Sequence, residues 1–348
     1  MALRPLAPVG VAAAALWLPD GADTAASAVA EKRVEPRTAR ELGHDRLPVA
    51  AGLSAPEMAV RAATEALRLA AVPAAELSGL YHAWMHYQGH DLWSAPHYIA
   101  HQLGAEGAVP VGVQQICNGG AAALELAVAR QQLTLGRSLA LVTTADRFTP
   151  PGFDRWRSDY GAAYGDGATA VLLERPAGPD NPLVLRALHS AAAPHLEAMH
   201  RGADPFAEVP RANSPVVDMR RTKRGYLSEH GLEGFSKVNA ERIRQVLTGA
   251  LLDAGVAPDD PRIRLVVLPR LGLKTLQTAW IPTVGEIVRA PTADWGRQTG
   301  HLGAGDLAAG LSELVRRAVL GPGEIALLLN AGAGFTWSCA VLQAPGKS

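Results

Sequence analysis

Cysteine is scarce in this chain. Cys117 and Cys339 are the 2 among 348 residues, too few for a disulfide-dense secreted scaffold. Excess charge of either sign is missing too. The 33 Lys and Arg are matched by 33 Asp and Glu, so no overall field favours nucleic acid or a membrane surface. No apolar run reaches the length of a membrane span. The Ala-rich segment from Val9 to Leu18 is short, is broken by Gly10 and is preceded by Arg4 as its only charge. It reads as a first strand rather than a signal peptide, and the chain is expected in the cytoplasm. A phosphate loop is missing, as is a dinucleotide fingerprint following a strand. Aromatic residues make up 5% and give no measure of a pocket.

What is present is an ordinary globular composition, 48% hydrophobic and 19% charged. The length allows two domains or one large one with a sizeable core. Strand-like and helix-like segments alternate. Ser54-Ala55-Pro56-Glu57 opens a helix, with Ser at the cap, Pro in the first turn and Glu three residues on. Leu80 to Trp84, Ser138 to Thr144 and Arg264 to Pro269 read as strands. Prolines and a glycine between Arg175 and Asn181 mark a boundary, which divides the chain into halves 1–178 and 179–348. Each half alternates strands with helices, the pattern of an α/β architecture with helices packed on sheets. A polar stretch over 195–232 is expected to be irregular.

Chemistry concentrates in a few segments. The apolar strand Ala108 to Val113 leads to Gln115-Ile116-Cys117-Asn118-Gly119-Gly120, and a run of small helix-forming residues follows. A thiol at such a strand-to-helix turn lies near a helix N-terminus, where partial positive charge favours thiolate and hence nucleophilicity. Cys339 lies mid-strand and reads as core. Gly300-His301-Leu302-Gly303-Ala304-Gly305-Asp306 offers a base and a carboxylate to orient it. The alternatives are a surface histidine and a helix-capping aspartate. Gly332-Ala333-Gly334 is a loop whose glycines let a backbone N–H turn inward, as an oxyanion donor must. His82, His86, His90 and His97 cluster in sequence, yet Gly89 interrupts any helix that would align them. No cysteine lies nearby, so no metal site is expected. Arg220-Arg221-Thr222-Lys223-Arg224 is either a solvated loop or a phosphate-contacting patch.

The segments Gln115–Ala127, Gly165–Leu173, Gly300–Leu311 and Gly332–Leu342 together resemble β-ketoacyl-acyl-carrier-protein synthase III, of the thiolase superfamily, in order and approximate spacing. The resemblance implies a five-layered α/β/α/β/α fold of two similar halves, usually homodimeric. It also implies an acyl thioester on Cys117 and an oxyanion hole from the N–H groups of Cys117 and Ala333. Two departures matter. Where that family carries the histidine of a Pro-His-Gln-Ala-Asn motif, this chain reads Pro269-Arg270-Leu271-Gly272-Leu273. Where the family carries the asparagine of a Gly-Asn-Thr-Ser motif, it has His301. Arginine is no base near neutral pH, so the pair that serves malonyl decarboxylation is replaced, and Arg270 stands as a substrate-binding candidate.

The remaining set, Cys117, His301 and Asp306, resembles the acyltransferase branch of synthase III-like proteins from actinomycete antibiotic pathways. The stretch from His86 to Ser94 and Asp154-Arg155-Trp156-Arg157 share that resemblance, and Trp93 is a candidate for lining the acyl tunnel. The expectation is an acyl transfer from a carrier protein or coenzyme A to a hydroxyl, an amine or a carrier thiol. No metal or redox cofactor is implied, since the phosphopantetheine thioester enters as substrate. A decarboxylative condensing enzyme and a non-catalytic partner subunit of a synthase are the rival readings.

Overall fold

The computed structural model describes residues 2–3 and 7–346. Its frame is one large sheet whose strands are β1 (Val9–Trp17), β2 (Leu77–Ala83), β3 (Val109–Val113), β4 (Ser138–Asp146) and β5 (Gly167–Arg175), followed by β6 (Leu183–Ala192), β7 (Ile263–Val267), β8 (Thr292–Ala293), β9 (Ile325–Gly332) and β10 (Thr336–Gln343), besides a short one at Ala2–Leu3 paired with β6. They lie in the order β8-β7-β9-β10-β6-β1-β5-β4-β2-β3. Read outward from the β1/β6 junction, both series take their strands in the chain order first, fifth, fourth, second, third. Pairing directions match as well: the first two pairings in each series are antiparallel and the next two parallel. The series meet where Val9, Gly10 and Val11 pair with Leu185, Val184 and Leu183. The likeness of the halves is thus one of topology, carried by strand pattern without a residue-level repeat.

Layering follows from which side chains each face buries. Along β9, Leu327 and Leu329 pack outward against Ile243, Leu247 and Leu251 of the helix Glu233–Ala254. Ala326 and Leu328 between them face the opposite way, as the two-residue period of a strand requires. Strands buried on both faces read as continuous apolar runs. Helices α1 (Ala55–Ala70) and α2 (Ala95–Leu103) cover the outside of the first series, where Ala59, Ala62 and Ala66 meet Leu139, Leu141 and Leu172. Between the two series lie α3 (Gly119–Gln132) and, near the C-terminus, the helix Asp306–Arg317. Ala123, Ala127, Ala308 and Leu311 from these two share one core with Val142, Val171 and Leu342. The result is the expected α/β/α/β/α stack.

The central pair of helices brings the site together. A Cβ on Gly120 would stand 2.5 Å from the carbonyl oxygen of Ala304. Only a bare backbone lets the start of α3 lie this close to the loop that precedes the Asp306 helix.

One expectation fails. The stretch 195–232 is not irregular throughout: it holds a short helix Ala198–Arg201 and a longer one, Met219–His230. The basic cluster forms the first turns of the longer helix rather than a loop, with Arg220 and Lys223 part-buried and Arg221 and Arg224 exposed. Arg220 donates to the carbonyls of Asp159 and Trp156, Arg221 pairs bidentately with Asp204, Lys223 pairs with Asp159 and Arg224 donates to the Tyr160 hydroxyl.

Candidate active site

Strand β3 ends at a turn in which Ile116 takes a φ of +47°. That region is costly for a β-branched residue and persists only where the surroundings enforce it. The enforcement is visible. Asn330 of β9 donates to the carbonyl of Cys117 at 3.0 Å and to the Asn118 side chain at 3.2 Å. Asn118 in turn donates to Gln115 and to Ser338. The turn delivers Cys117, half-buried, to the N-terminus of α3, with its sulfur 3.8 Å from that of Met85. Gly332 seals the other side, since a Cβ there would lie 2.4 Å from the Asn118 nitrogen. Gly332→Ala is therefore expected to cost about 1–3 kcal/mol of stability and to slow any reaction of Cys117 at least tenfold. A thermal melt and a thiol-labelling rate check both.

His301 is fixed by its backbone. Its N–H donates to Ala163, and its carbonyl accepts from Gly165. The Gly165-Asp166-Gly167 turn thereby anchors the histidine loop. Asp166 itself is fully buried and accepts two hydrogen bonds from Arg155 at 2.6 and 2.7 Å, plus the N–H groups of Ala50 and Phe148.

The His301 ring is 2% exposed, and its Nδ1 lies 2.6 Å from Asp306. The Asp306 carboxylate also accepts the backbone N–H of Leu302 at 2.8 Å and of Arg270 at 3.0 Å. Tyr164 packs edge-on against the ring at 5.1 Å. Both pKa values follow from this packing. Burial disfavours the charged imidazole, but Asp306 and then the Cys117 side chain outweigh it and hold the His301 pKa well above that of ordinary histidine. Burial likewise opposes the Asp306 charge, yet His301 and then Arg270 keep its carboxyl below the usual carboxylate range. With Nδ1 taken by Asp306, Nε2 is the nitrogen left to face the sulfur.

Cys117, His301, Gly332 and Ala333 open on one cavity of about 360 Å³, walled by Met85, Tyr164, Phe235, Phe335 and Trp337 among others. The structure thus unites Cys117, His301, Asp306, Gly332 and Ala333. It separates three other candidates. Gly334 lies outside the cavity wall. The guanidinium of Arg270 is buried and turned to the Trp295 carbonyl and the Thr299 hydroxyl, so Arg270 acts on the site through Asp306, by its N–H and its charge. Trp93 is 41% exposed and packs on His90 and Tyr98, away from the cavity. Cys339 is wholly buried, and burial pushes its thiol out of the reactive range.

The histidines near the start of the chemistry have separate surroundings. His82 bonds to Thr143 and Gln88, His86 stacks on Phe148, and His97 bonds to Ser94. Among the described residues, no group of three His, Cys, Asp or Glu side chains converges as a metal would need.

Sequence reasoning missed Asp146. It ends β4, fully buried, and accepts from the N–H groups of Met85, His86 and Ala304. It therefore ties the loop beside Cys117 to the loop beside His301. Burial pushes its pKa up to about 7. No motif marks it. Asn118 and Asn330 were equally silent, because their partners lie across the fold.

The C-terminal part, residues 254–344, matches the model of the 3-oxoacyl-[acyl-carrier-protein] synthase III C-terminal family. No curated protein matches the chain. Among solved structures, the chain is similar to ChlB3, named an acyltransferase, with 31% identity over 97% of this chain and 98% of that one and a TM-score of 0.89. It shares the fold of 3-oxoacyl-[acyl-carrier-protein] synthase III from Aquifex aeolicus, with 21% identity over 96% and 99% of the two chains and a TM-score of 0.76. The priming β-ketosynthase of the R1128 polyketide pathway gives 20% identity over 99% of each chain and a TM-score of 0.75. From its cysteine turn to its paired five-strand series, the chain belongs to the thiolase-fold family of synthase III-like proteins.

Proposed function

We propose that this protein is an acyltransferase working through a Cys117 acyl-enzyme, with His301 and Asp306 completing a nucleophile–base–orienter set. The observation that carries the reading is the buried His301–Asp306 pair facing the half-exposed Cys117 sulfur in one cavity. The name of ChlB3 as an acyltransferase supports it.

The proton accounting closes. The ionised sulfur attacks the carbonyl carbon of an acyl thioester on a carrier protein or coenzyme A. The backbone N–H groups of Cys117 and Ala333 receive the oxyanion. The bond to the carrier sulfur breaks, and protonated His301 gives its Nε2 proton to the leaving thiolate. Acylation removes the negative sulfur, one of the two charges that hold His301 protonated. The now neutral imidazole is a base, oriented by Asp306. A hydroxyl, amine or carrier thiol enters and surrenders its proton to His301, and its heteroatom takes the acyl group. Cys117 leaves as thiolate beside an imidazolium, restoring the start. The cycle changes no oxidation state, so its chemistry calls on no redox cofactor.

A condensing reaction needs instead to stabilise an enolate. The guanidinium that stands where condensing enzymes carry a histidine points out of the cavity, toward Trp295 and Thr299. The protein is accordingly expected to release carbon dioxide from a malonyl thioester no faster than buffer does. Rapid release coupled to a new carbon–carbon bond would establish the condensing reading.

We extend the proposal to a cytoplasmic homodimer, the assembly that the family resemblance implies. Its edge strand β3 leaves Val109 46% exposed, and Leu92 and Trp93 of the loop before α2 are exposed as well. Among the described residues, no helix is long and apolar enough to cross a membrane.

A further inference from the structure

Among its described wall residues, the cavity that holds Cys117 has one lysine, Lys223, no arginine, and one carboxylate, Asp159. These two side chains are 15% and 8% exposed and pair with each other. Neither borders the surface pockets lined by Arg220 or by Thr222, so the pair belongs to this cavity. The other cationic candidates in the wall are histidines. His301 is matched by Asp306. His200 is neutral at neutral pH, because burial and then the Lys223 charge lower its pKa to about 3.

Asp159 is built into the wall as an acceptor. Its carboxylate accepts the N–H of Tyr160 at 2.6 Å and the Tyr164 hydroxyl at 3.0 Å. Tyr164 in turn packs edge-on against the His301 ring. Burial opposes the Asp159 charge, yet Lys223 outweighs it and keeps the carboxyl below the usual carboxylate range. Met85, Met219, Phe235, Phe335 and Trp337 make much of the remaining wall apolar, a setting in which an unmatched charge is costly.

A lysine in a substrate cavity would ordinarily offer a seat for a carboxylate. Here Asp159 occupies that seat. An acyl group that carried its own carboxylate would bring a third charge to a pair already balanced, and would be buried without a partner. An uncharged acyl group of the same shape loses no such partner on leaving water.

We propose that Asp159 is a specificity-determining residue: by occupying the Lys223 ammonium, it makes the cavity accept uncharged acyl groups onto Cys117 and refuse dicarboxylic ones. The proposal rests on the acyl-enzyme reading.

The test uses the full chain and two pairs of coenzyme A thioesters matched in shape, malonyl with isovaleryl and succinyl with isocaproyl. In each pair an isopropyl group replaces the carboxylate. Loading of Cys117 is timed by intact-mass spectrometry in wild type, Asp159→Asn and the double variant Asp159→Asn/Lys223→Met. In wild type, each uncharged thioester is expected to load at least about a hundredfold faster than its dicarboxylic match. Asp159→Asn keeps an acceptor for the Tyr160 N–H but frees the ammonium, and is expected to lower that ratio by about tenfold or more. Adding Lys223→Met removes the freed charge and should return the ratio to within about threefold of wild type. Intrinsic thioester reactivity cancels, because every protein is compared on the same pairs.

A wild-type ratio near one would overturn the proposal and leave the acyl-enzyme reading intact. So would a ratio unmoved by Asp159→Asn, or one that stays low once Lys223 is also replaced. Asp159→Ser, which frees the same ammonium, reads the same shift if the amide variant fails to fold. A wild-type protein that forms no Cys117 adduct with any of these thioesters would overturn the acyl-enzyme reading and this proposal with it.

Discussion

Cys117→Ala is expected to abolish acyl labelling and to lower transfer by about 10⁴-fold or more, the scale on which a covalent nucleophile matters when its partners act with it as a unit. The reason is geometric. Asn330, Asn118 and Gly332 together hold an unfavourable backbone at Ile116, and the product of that arrangement is the placement of a single sulfur. The substitution should leave the fold alone. The sulfur is half-exposed, and its neighbours include Met85 at 3.8 Å, so a stability change of at most about 1 kcal/mol is expected. An intact melting transition alongside lost labelling thus isolates chemistry from folding. If Cys117→Ala kept both acyl labelling and transfer, the protein would be a partner subunit that shapes another enzyme's site.

Asp306→Asn is expected to lower transfer by about 10³-fold or more. Three donors aim at this carboxylate: His301 Nδ1 and the N–H groups of Leu302 and Arg270. An amide can accept with its oxygen, but its NH₂ must then oppose at least one donor, leaving buried groups unpaired and the imidazole in the wrong tautomer.

The pH profile should move with it. Burial pulls the His301 pKa down, and Asp306 is the foremost influence raising it. Removing that charge lowers the pKa, so the imidazolium that protonates the leaving thiol is lost at lower pH than in wild type. The alkaline limb of the loading rate therefore shifts toward acid. Single-turnover loading across pH measures this. A rate within tenfold of wild type, or a limb that does not move, would show that Asp306 merely caps its helix.

The sequence disclosed those parts whose causes are local. The cysteine turn, the glycine-rich histidine loop and the Gly165-Asp166-Gly167 turn are each legible within a dozen residues. Glycine and small side chains there report close backbone approach, as Gly120 against Ala304 and Gly332 against Asn118 confirm. The two-series sheet was likewise written in runs of apolar residues that fit strands buried on both faces.

Where partners lie far along the chain, the sequence was silent or misleading. The residues Arg220 to Arg224 looked like a loop because what holds their helix in place is Asp159, Tyr160 and Asp204, elsewhere in the chain. Arg270 looked like a substrate contact because its neighbours in sequence gave no hint that its guanidinium would be buried against Thr299 and Trp295. Asp146 closes an otherwise plain apolar strand, and only the folded chain reveals that it joins the two catalytic loops.

The central claim is that acyl groups pass through Cys117 to a heteroatom. It is tested most directly by intact-mass spectrometry of one protein sample through both half-reactions. The chain is first incubated with a panel of acyl thioesters, then freed of donor and given hydroxyl, amine and thiol acceptors. The account predicts that one donor adds the mass of its acyl group at Cys117 and that one acceptor returns the protein to its starting mass while itself gaining that group. A chain that never gains acyl mass would contradict the account. So would one that discharges its acyl group only onto a decarboxylating malonyl thioester.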